Sequence, residues 1–226
     1  VGAGAGLGAV VAIVLGGLLP AAIHAVTGMY LVPLFAFFGG WATTLILYRV
    51  ASLRGQTSIA TMLLAGIVLG ALAGAATGVL VYLADDTQLR DLTFWGLGSL
   101  AGANWTKLAA VAPILLAGLA LSPLLARGLN AMALGEGVAR HLGVPVEGVK
   151  RGAILIVAAM TGASVAVSGG IGFVGIVVPH ILRLAIGPDH RSLLPAAALF
   201  GAALLIAADT FSRLVVSPAE LPIGII

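Results

Sequence analysis

Charged residues make up only 8% of this chain of 226 residues, with 11 Lys+Arg against 8 Asp+Glu, while 61% of the residues are hydrophobic. A soluble domain carries about 25% charged residues because its surface must be wetted, so the composition excludes a soluble globular protein. Intrinsic disorder is excluded too, since it needs low hydrophobicity and high charge. The mean hydropathy of +1.18 predicts an all-α polytopic membrane protein.

Several chemistries are excluded as well. The absence of cysteine excludes disulfides, thiolate metal sites and a cysteine nucleophile. The net charge of +3 comes without a basic cluster, so we expect no nucleic-acid partner. No G-x-x-x-x-G-K-[ST] motif exists to bind ATP. No convergent catalytic or metal-binding set is apparent either, so an enzyme embedded in the membrane is disfavoured.

The apolar runs are long enough to be membrane helices, since a bilayer core of about 30 Å needs roughly 20 residues. They lack the alternation of membrane strands. Seven helices are predicted, the sixth of them short, at 1–24, 29–48, 59–83, 106–126, 152–168, 172–186 and 192–212. The 32 glycines predict close helix packing. Because the chain opens and stops inside apolar runs, we expect both ends of a longer protein to be missing.

Basic residues alternate between loops and so predict the orientation. Eight of the 11 lie in loops 49–58, 127–151 and 183–191. The other side carries Arg90, Lys107 and Arg213 together with Asp85, Asp86, Asp91 and Glu220. By the positive-inside rule, the side with eight basic residues is cytoplasmic. Loop 84–105 is then external. Its apolar stretch 93–100, with Trp95 and Trp105 as interfacial rings, predicts a short helix near that surface.

Loop 127–151 is too long and too apolar for a simple turn. Gly135 and Gly143 are expected to break a helix there and Pro145 to stop it, which predicts two short helices at the cytoplasmic face. Such a feature is typical of a docking surface for a soluble partner, although an amphipathic linker explains the composition equally well.

The stretch 170–175 matches G-x-G-x-x-G, but it falls between two predicted membrane helices. A dinucleotide site would need a preceding strand, so we interpret the glycines as a sharp turn with close backbone contacts. His180 and His190 are near one cytoplasmic end, where a local structural role is favoured over a shared site. Asp209 either pairs with Arg213 at i+4 or is solvated at the end of its helix; a proton relay is a third alternative.

Several ordered blocks resemble a known family. They are residues 168–183 (SGGIGFVGIVVPHILR), 189–195 (DHRSLLP), 207–209 (AAD), 220–224 (ELPIG) and, in the loop, 133–143 (ALGEGVARHLG). Their order and spacing are similar to the permease subunits of type II ABC importers for iron-siderophores, haem and vitamin B12. The motif residues that carry the resemblance are Gly169, Gly170, Gly172, Gly175, Pro179, His180 and Arg183.

The resemblance implies a family fold of ten transmembrane helices, of which about seven to eight are present here. The chain would be a single permease domain, 1–226, lacking the first two helices and most of the last, with a cytoplasmic coupling loop at 127–151. Two permease copies would form a homodimer in the bacterial inner membrane, with two ATPase subunits inside and a periplasmic binding protein outside. ATP and Mg would be bound by the ATPase partner, and this chain would hold no cofactor.

Site residues follow from the same resemblance. Gly135, Glu136 and Arg140 would lie in the loop that the ATPase grips. Arg213 and Glu220 would belong to the external docking surface for the binding protein. The helix at about 59–83 would line the pathway, with Thr57, Ser58 and Thr61 as gate candidates at its cytoplasmic start.

The cargo is the least determined part of this prediction. The stretch 94–105 looks most like haem permeases, with ferric siderophore next and cobalamin third. No histidine or tyrosine pair points to haem-iron ligation. A proton-coupled secondary transporter, motivated by Asp209 in an apolar run, is the alternative from another class.

Overall fold

The computed structural model describes the backbone of residues 1–18, 21–53, 56–57, 59–215 and 221–225, and the side chains of these residues except 18, 21–29, 53, 56–57 and 59. Long helices dominate it. The α-helices are α1 (Gly2–Leu15), α2 (Ala21–Ala51), α3 (Ile59–Leu83), α4 (Asp86–Leu97), α5 (Trp105–Ala133), α6 (Glu136–His141), α7 (Val146–Ser168), α8 (Val174–Ile186) and α9 (His190–Val215). The fold is therefore all-α, as predicted.

Five of the described helices are long and apolar enough to cross a membrane: α2, α3, α5, α7 and α9. The helices α1 and α8 are apolar but shorter. The prediction of a single helix at 1–24 was wrong. Helix α1 ends at Leu15, a 3-10 helix follows at Gly16–Leu18, and α2 begins at Ala21. His24 therefore belongs to α2, and the predicted loop before residue 29 is helical.

Helices α1 and α2 approach each other so closely that only glycine fits at their crossing. A Cβ atom at Gly4 would overlap Thr43, and one at Gly8 would overlap the carbonyl oxygen of Phe35. A Cβ atom at Gly39 would meet the carbonyl oxygen of Gly4 in turn. Small residues at four-residue spacing allow backbones to approach within a bilayer. The prediction of close packing from glycine content is confirmed here.

A small apolar core lies next to this crossing. Ala5 and Ala9 of α1 and Ala36 of α2 are completely buried, and they pack with Val165 and Ala166 of α7. The ring of Trp95 from α4 packs against the same cluster. Trp95 therefore anchors α4 to the bundle, whereas Trp105 is 85% exposed, as expected for an interfacial ring.

The loops predicted to share a side do so. At one end, the Arg151 Nε atom of α7 donates to the Tyr48 hydroxyl of α2 at 2.7 Å, and Asn130 of α5 bonds the start of α9. We call this the basic end. At the opposite end, the Gln88 side chain of α4 donates to the carbonyl oxygen of Val14 at 3.3 Å. Loop alternation is confirmed, and the positive-inside rule predicts that the basic end is cytoplasmic.

Both long loops contain one short helix. A short helix is present in loop 84–105, as predicted, but α4 covers Asp86–Leu97 and not the apolar stretch 93–100 alone, because Asp85 caps its start and Gly98 ends it. The prediction of two short helices within 127–151 was wrong: α5 continues to Ala133, α6 is the single short helix, and α7 begins at Val146. The loop proper is thus 134–145. Between α2 and α3, β1 (Ser52–Leu53) and β2 (Gln56–Thr57) form a minimal antiparallel pair that the sequence did not indicate.

The α1–α2 crossing can be tested with two alanines on one helix. Gly8→Ala should destabilise the protein by about 1–3 kcal/mol, because the new methyl group must displace the Phe35 carbonyl. Gly6→Ala is the matched control: its Cβ atom meets nothing within 4 Å, and alanine favours the helix. Thermal unfolding of the full-length protein in detergent measures both. Equal melting temperatures for the two variants would contradict the close crossing.

Candidate functional site

Helix α6 is bounded by two glycines in conformations that other residues rarely adopt. Gly135 precedes α6 with a φ angle of 109°, and Gly143 follows it with a φ angle of 78°. Positive φ angles cost little only for glycine. Pro145 directly precedes α7. The predicted roles of these three residues as helix breakers are confirmed, and the two turns present α6 at the basic end.

A buried lysine ties α6 to α7. Lys150 Nζ lies 2.7 Å from Glu136 Oε1 and 3.5 Å from Glu147 Oε1, and its side chain is only 9% exposed. Arg140 contacts Glu136 more loosely, at 3.8 Å in an exposed i,i+4 pair. An exposed pair contributes little to stability, whereas the buried Lys150 ammonium depends on its carboxylate partners Glu136 and Glu147. Glu136 therefore holds α6 against α7.

Exposed apolar side chains lie on α6 and on the residues that flank it. Leu134, Val138 and Leu142 recur every four residues and are 68%, 46% and 64% exposed. Arg140 is exposed as well, one helical turn after its partner Glu136, whereas Ala139 is completely buried. We call Leu134, Val138, Arg140 and Leu142 the α6 surface. An exposed apolar patch with a charged rim is typical of a protein-docking surface.

At the opposite end of the bundle, three segments meet through their backbones. These are the end of α4, the loop between α7 and α8, and the 3-10 helix Ile223–Ile225. The Ser99 N–H donates to the Ser168 carbonyl at 2.8 Å, and the Ile223 N–H donates to the Gly98 carbonyl at 3.1 Å. We call this meeting point the glycine junction.

Glycines are required at the junction because the backbones touch. A Cβ atom at Gly169 would overlap the Trp95 carbonyl oxygen, and one at Gly224 would overlap the Leu97 carbonyl oxygen. Gly98 and Gly169 also have φ angles of 67° and 71°. Any side chain at these positions would force the segments apart, so the junction fixes α4 over the end of the bundle.

The stretch that matched G-x-G-x-x-G is the turn between α7 and α8, as predicted. Gly170 contributes to the junction, since its Cβ atom would lie 3.0 Å from the Gly96 carbonyl oxygen. Gly172 and Gly175 have open space around their Cβ positions. Phe173 has a positive φ angle of 61° at the start of α8. The turn thus serves helix packing, and its helical surroundings do not match a dinucleotide site.

The remaining motif residues lie within α8. Pro179 follows Val178, which is 2% exposed and packs 3.9 Å from the Cβ position of Gly201 on α9. His180 and Arg183 are exposed on the other side of the helix. Gly201 of α9 therefore leaves space for Val178 of α8, and the polar residues of the motif face outward.

Asp209 and Arg213 form an ion pair in the last turns of α9. Arg213 Nε lies 2.9 Å from Asp209 Oδ2, and Arg213 Nη2 lies 3.4 Å from Asp209 Oδ1. The pairing predicted at i+4 is confirmed. The carboxylate that motivated a proton-coupled transporter is thus already paired, and that alternative loses its support. Arg213 remains 45% exposed at the end of the bundle away from α6.

The gate candidates are only partly described. Thr57 lies in β2, where its backbone pairs with Ser52, and Thr61 is half-buried in the first turn of α3. Ser58 and the docking candidate Glu220 lie outside the described residues, so their roles remain predictions.

His190 has the local structural role that was predicted for it. Its backbone N–H donates to Asn130 Oδ1 at 2.9 Å, and its ring Nδ1 lies 2.7 Å from the same oxygen. The backbone N–H of Arg191 and then the Asn130 amide hold the pKa of Asp189 below its ordinary value. Within the described ranges, no group of three His, Cys, Asp or Glu side chains could hold a metal ion.

All 226 residues, 1–226, match the model of the FecCD transport family. The chain belongs to this family. It is 45% identical over 208 residues to the Hemin transport system permease protein HmuU of Yersinia pestis, covering 92% of this chain and 62% of that protein. It is 38% identical over 226 residues to the Cobalamin import system permease protein BtuC of Halobacterium salinarum, covering 100% of this chain and 58% of that protein.

A solved structure shares the fold of this FecCD-family chain. It represents an inward-facing conformation assigned to a metal-chelate type ABC transporter, with a TM-score of 0.86 and 29% sequence identity. The alignment covers 99% of this chain and 69% of the other. The chain is therefore a multi-pass membrane protein of the ABC permease type, although it spans only about three fifths of the length of its curated relatives.

Two polar residues of this FecCD-family chain escaped the sequence analysis. Lys150 was considered only as a loop charge, although its i+3 spacing from Glu147 indicates a helical pair. Asn130 was not considered, although it is a polar residue in the mostly apolar helix α5. Spacing reveals neighbours on one helix, but the partners Glu136 and His190 belong to other elements.

The glycine junction predicts that two alanine substitutions in the turn between α7 and α8 have unequal effects on stability. Gly169→Ala should lower stability by about 1–3 kcal/mol, because the substitution combines a positive φ angle with an overlap against Trp95. Gly172→Ala, three residues later, meets nothing within 4 Å and should leave stability nearly unchanged. Thermal unfolding of the full-length variants measures the difference. A harmless Gly169→Ala would refute the backbone contact.

Proposed function

We propose that this chain is the transmembrane permease subunit of an ATP-driven importer that moves haem across the bacterial inner membrane. The observation that carries the proposal is the 45% identity with a hemin transport permease across 92% of the chain. The cobalamin relative supports the same type of importer with another cargo. Ferric siderophore and cobalamin are therefore the alternative cargoes.

The partners in this proposal occupy the two ends of the bundle. A homodimer of permeases would enclose the pathway, two ATPase subunits would bind the cytoplasmic face, and a periplasmic binding protein would deliver cargo. The exposed α6 surface supports the assignment of Gly135, Glu136 and Arg140 to ATPase coupling. ATP and Mg belong to the ATPase subunit, and this chain contributes movement rather than hydrolysis.

The structure supports different roles for two residues of α6, which we call the coupling helix. Glu136 pairs with buried Lys150, so it transmits force from α6 into α7. Arg140 is exposed and contacts Glu136 only at 3.8 Å, so it is available to a partner. A short helix that is fixed at Glu136 and exposed at Arg140 has the two properties that a transmission element requires.

The opposite end supports binding-protein docking. Arg213 is 45% exposed and held by Asp209, which limits the orientations of its guanidinium. A positioned surface charge favours encounter and registration of a partner more than raw affinity. An acidic side chain on the binding protein would be its complement.

Transport is tested by reconstituting the full-length permease in liposomes with its ATPase and binding protein. We expect ATP-dependent uptake of haemin, with little uptake of a ferric siderophore or cyanocobalamin. Liposomes lacking the ATPase are the control. Preferred uptake of another cargo would reject haem as the cargo but not the ATP-driven importer. Uptake driven by a proton gradient without the ATPase would reject the ATP-driven importer itself.

The two docking surfaces are tested by reciprocal charge reversals in the full-length protein. Arg140→Glu should weaken ATPase binding by about tenfold and leave unchanged the affinity of the permease alone for the binding protein, because the two residues lie at opposite ends. Arg213→Glu should do the reverse, most clearly at low salt. Co-purification and surface plasmon resonance measure the two affinities, and each variant is the control for the other. Effects on the same partner from both variants would contradict the assignment.

A further inference from the structure

A side-chain amide joins two helices at the basic end. Asn130 lies in the last turn of α5, and its Nδ2 donates to Asp189 Oδ1 at 2.5 Å. Its Oδ1 accepts the backbone N–H of His190 at 2.9 Å. Because a backbone N–H can only donate, the contact fixes which end of the amide faces α9. The same oxygen faces His190 Nδ1 at 2.7 Å, so that ring nitrogen carries the proton.

The start of α9 does not depend on this amide. Asp189 Oδ1 accepts the backbone N–H of Arg191 at 2.9 Å, as a helix N-cap does. The Asp189 carbonyl also accepts the Ser192 hydroxyl at 3.1 Å and the Leu193 N–H at 2.9 Å. What Asn130 adds is a cross-link between segments 59 and 60 residues apart in sequence.

This cross-link is located at the base of the coupling helix. The last turn of α5 continues directly into the turn before α6: the Leu134 N–H donates to the Ala131 carbonyl at 3.1 Å, and the Gly135 N–H donates to the Met132 carbonyl at 3.0 Å. A displacement of α6 therefore acts on the helical turn that contains Asn130.

The other partner of the cross-link reaches the far end of the bundle. Helix α9 has 26 residues, which corresponds to about 39 Å at 1.5 Å per residue. It begins at His190 and carries the Asp209–Arg213 pair in its last turns. Because α9 is one continuous helix through Pro195, we expect a shift at its start to be transmitted to Arg213.

We infer that Asn130 is a positioning residue that ties the coupling helix to α9 and so links the ATPase surface at α6 to the docking surface at Arg213. The inference rests on the proposed importer function. Lys150 connects α6 to α7 directly, and Asn130 provides a second route through α5 to α9. Linkage between two docking surfaces is reciprocal, so either partner then alters the response to the other.

The test uses the full-length permease assembled with its ATPase and binding protein in liposomes. Asn130→Ala should leave assembly and basal ATP hydrolysis unchanged. Stimulation of hydrolysis by the haemin-loaded binding protein should fall by about fivefold to tenfold, together with haemin uptake. Ser122→Ala is the matched control, since Ser122 lies on the same helix and its hydroxyl bonds only locally, to the Leu119 carbonyl.

Exchanging the side chains of positions 130 and 189 tests whether the contact between them matters. Asn130→Asp places a carboxylate against Asp189 and should reduce stimulation at least as much as alanine does. Adding Asp189→Asn returns a donor to the contact and should restore part of the stimulation. Recovery of this kind is not expected if position 130 only fills space.

The outcomes separate the inference from the proposed function. Wild-type stimulation in Asn130→Ala overturns the inference, and so does a proportional fall in melting temperature, basal hydrolysis and stimulation, which marks a purely structural role. If wild-type liposomes show no ATP-dependent uptake of haemin, ferric siderophore or cyanocobalamin, the importer function itself fails and the inference fails with it.

Discussion

Backbone hydrogen bonding inside a bilayer is the constraint on which the rest of this structure depends. Lipid offers no partner for an N–H or C=O group, so each spanning segment must satisfy its own backbone as a helix. The helices can then be joined firmly only by close packing, as at Gly4 and Gly8, or by polar contacts near their ends. The two docking surfaces proposed for this chain lie at those two ends.

The two ends are connected by different chemistry. At the basic end, long polar side chains connect the elements: Lys150 holds Glu136, and Asn130 holds His190. At the opposite end, backbone meets backbone, and Gly98 and Gly169 allow the contact. Side-chain links permit displacement of one element against another, whereas the glycine junction fixes α4 in place. This difference is consistent with the proposed permease function, in which the basic end would move while α4 stays in place.

Family membership and the geometry of the structure each constrain the proposed function. The FecCD match covers residues 1–226 and identifies the type of protein. The structure shows that Lys150 holds the short helix α6 at Glu136. It also shows that α9 extends from the same end of the bundle to Arg213. Cargo choice has no comparable structural marker within the described residues, because relatives with different cargoes align over nearly the whole chain.

The sequence alone determined the membrane location, most helices, the alternation of the loops and the turn at Gly169–Gly175, since these depend on local hydrophobicity and on glycine and proline. It also indicated the Asp209–Arg213 pair, whose partners are four residues apart on one helix. Tertiary structure alone decided that Trp95 packs against the core, that Glu136 pairs with Lys150, and that Asn130 reaches His190. These contacts join different elements, and their partners are selected by helix packing, which neither composition nor periodicity specifies.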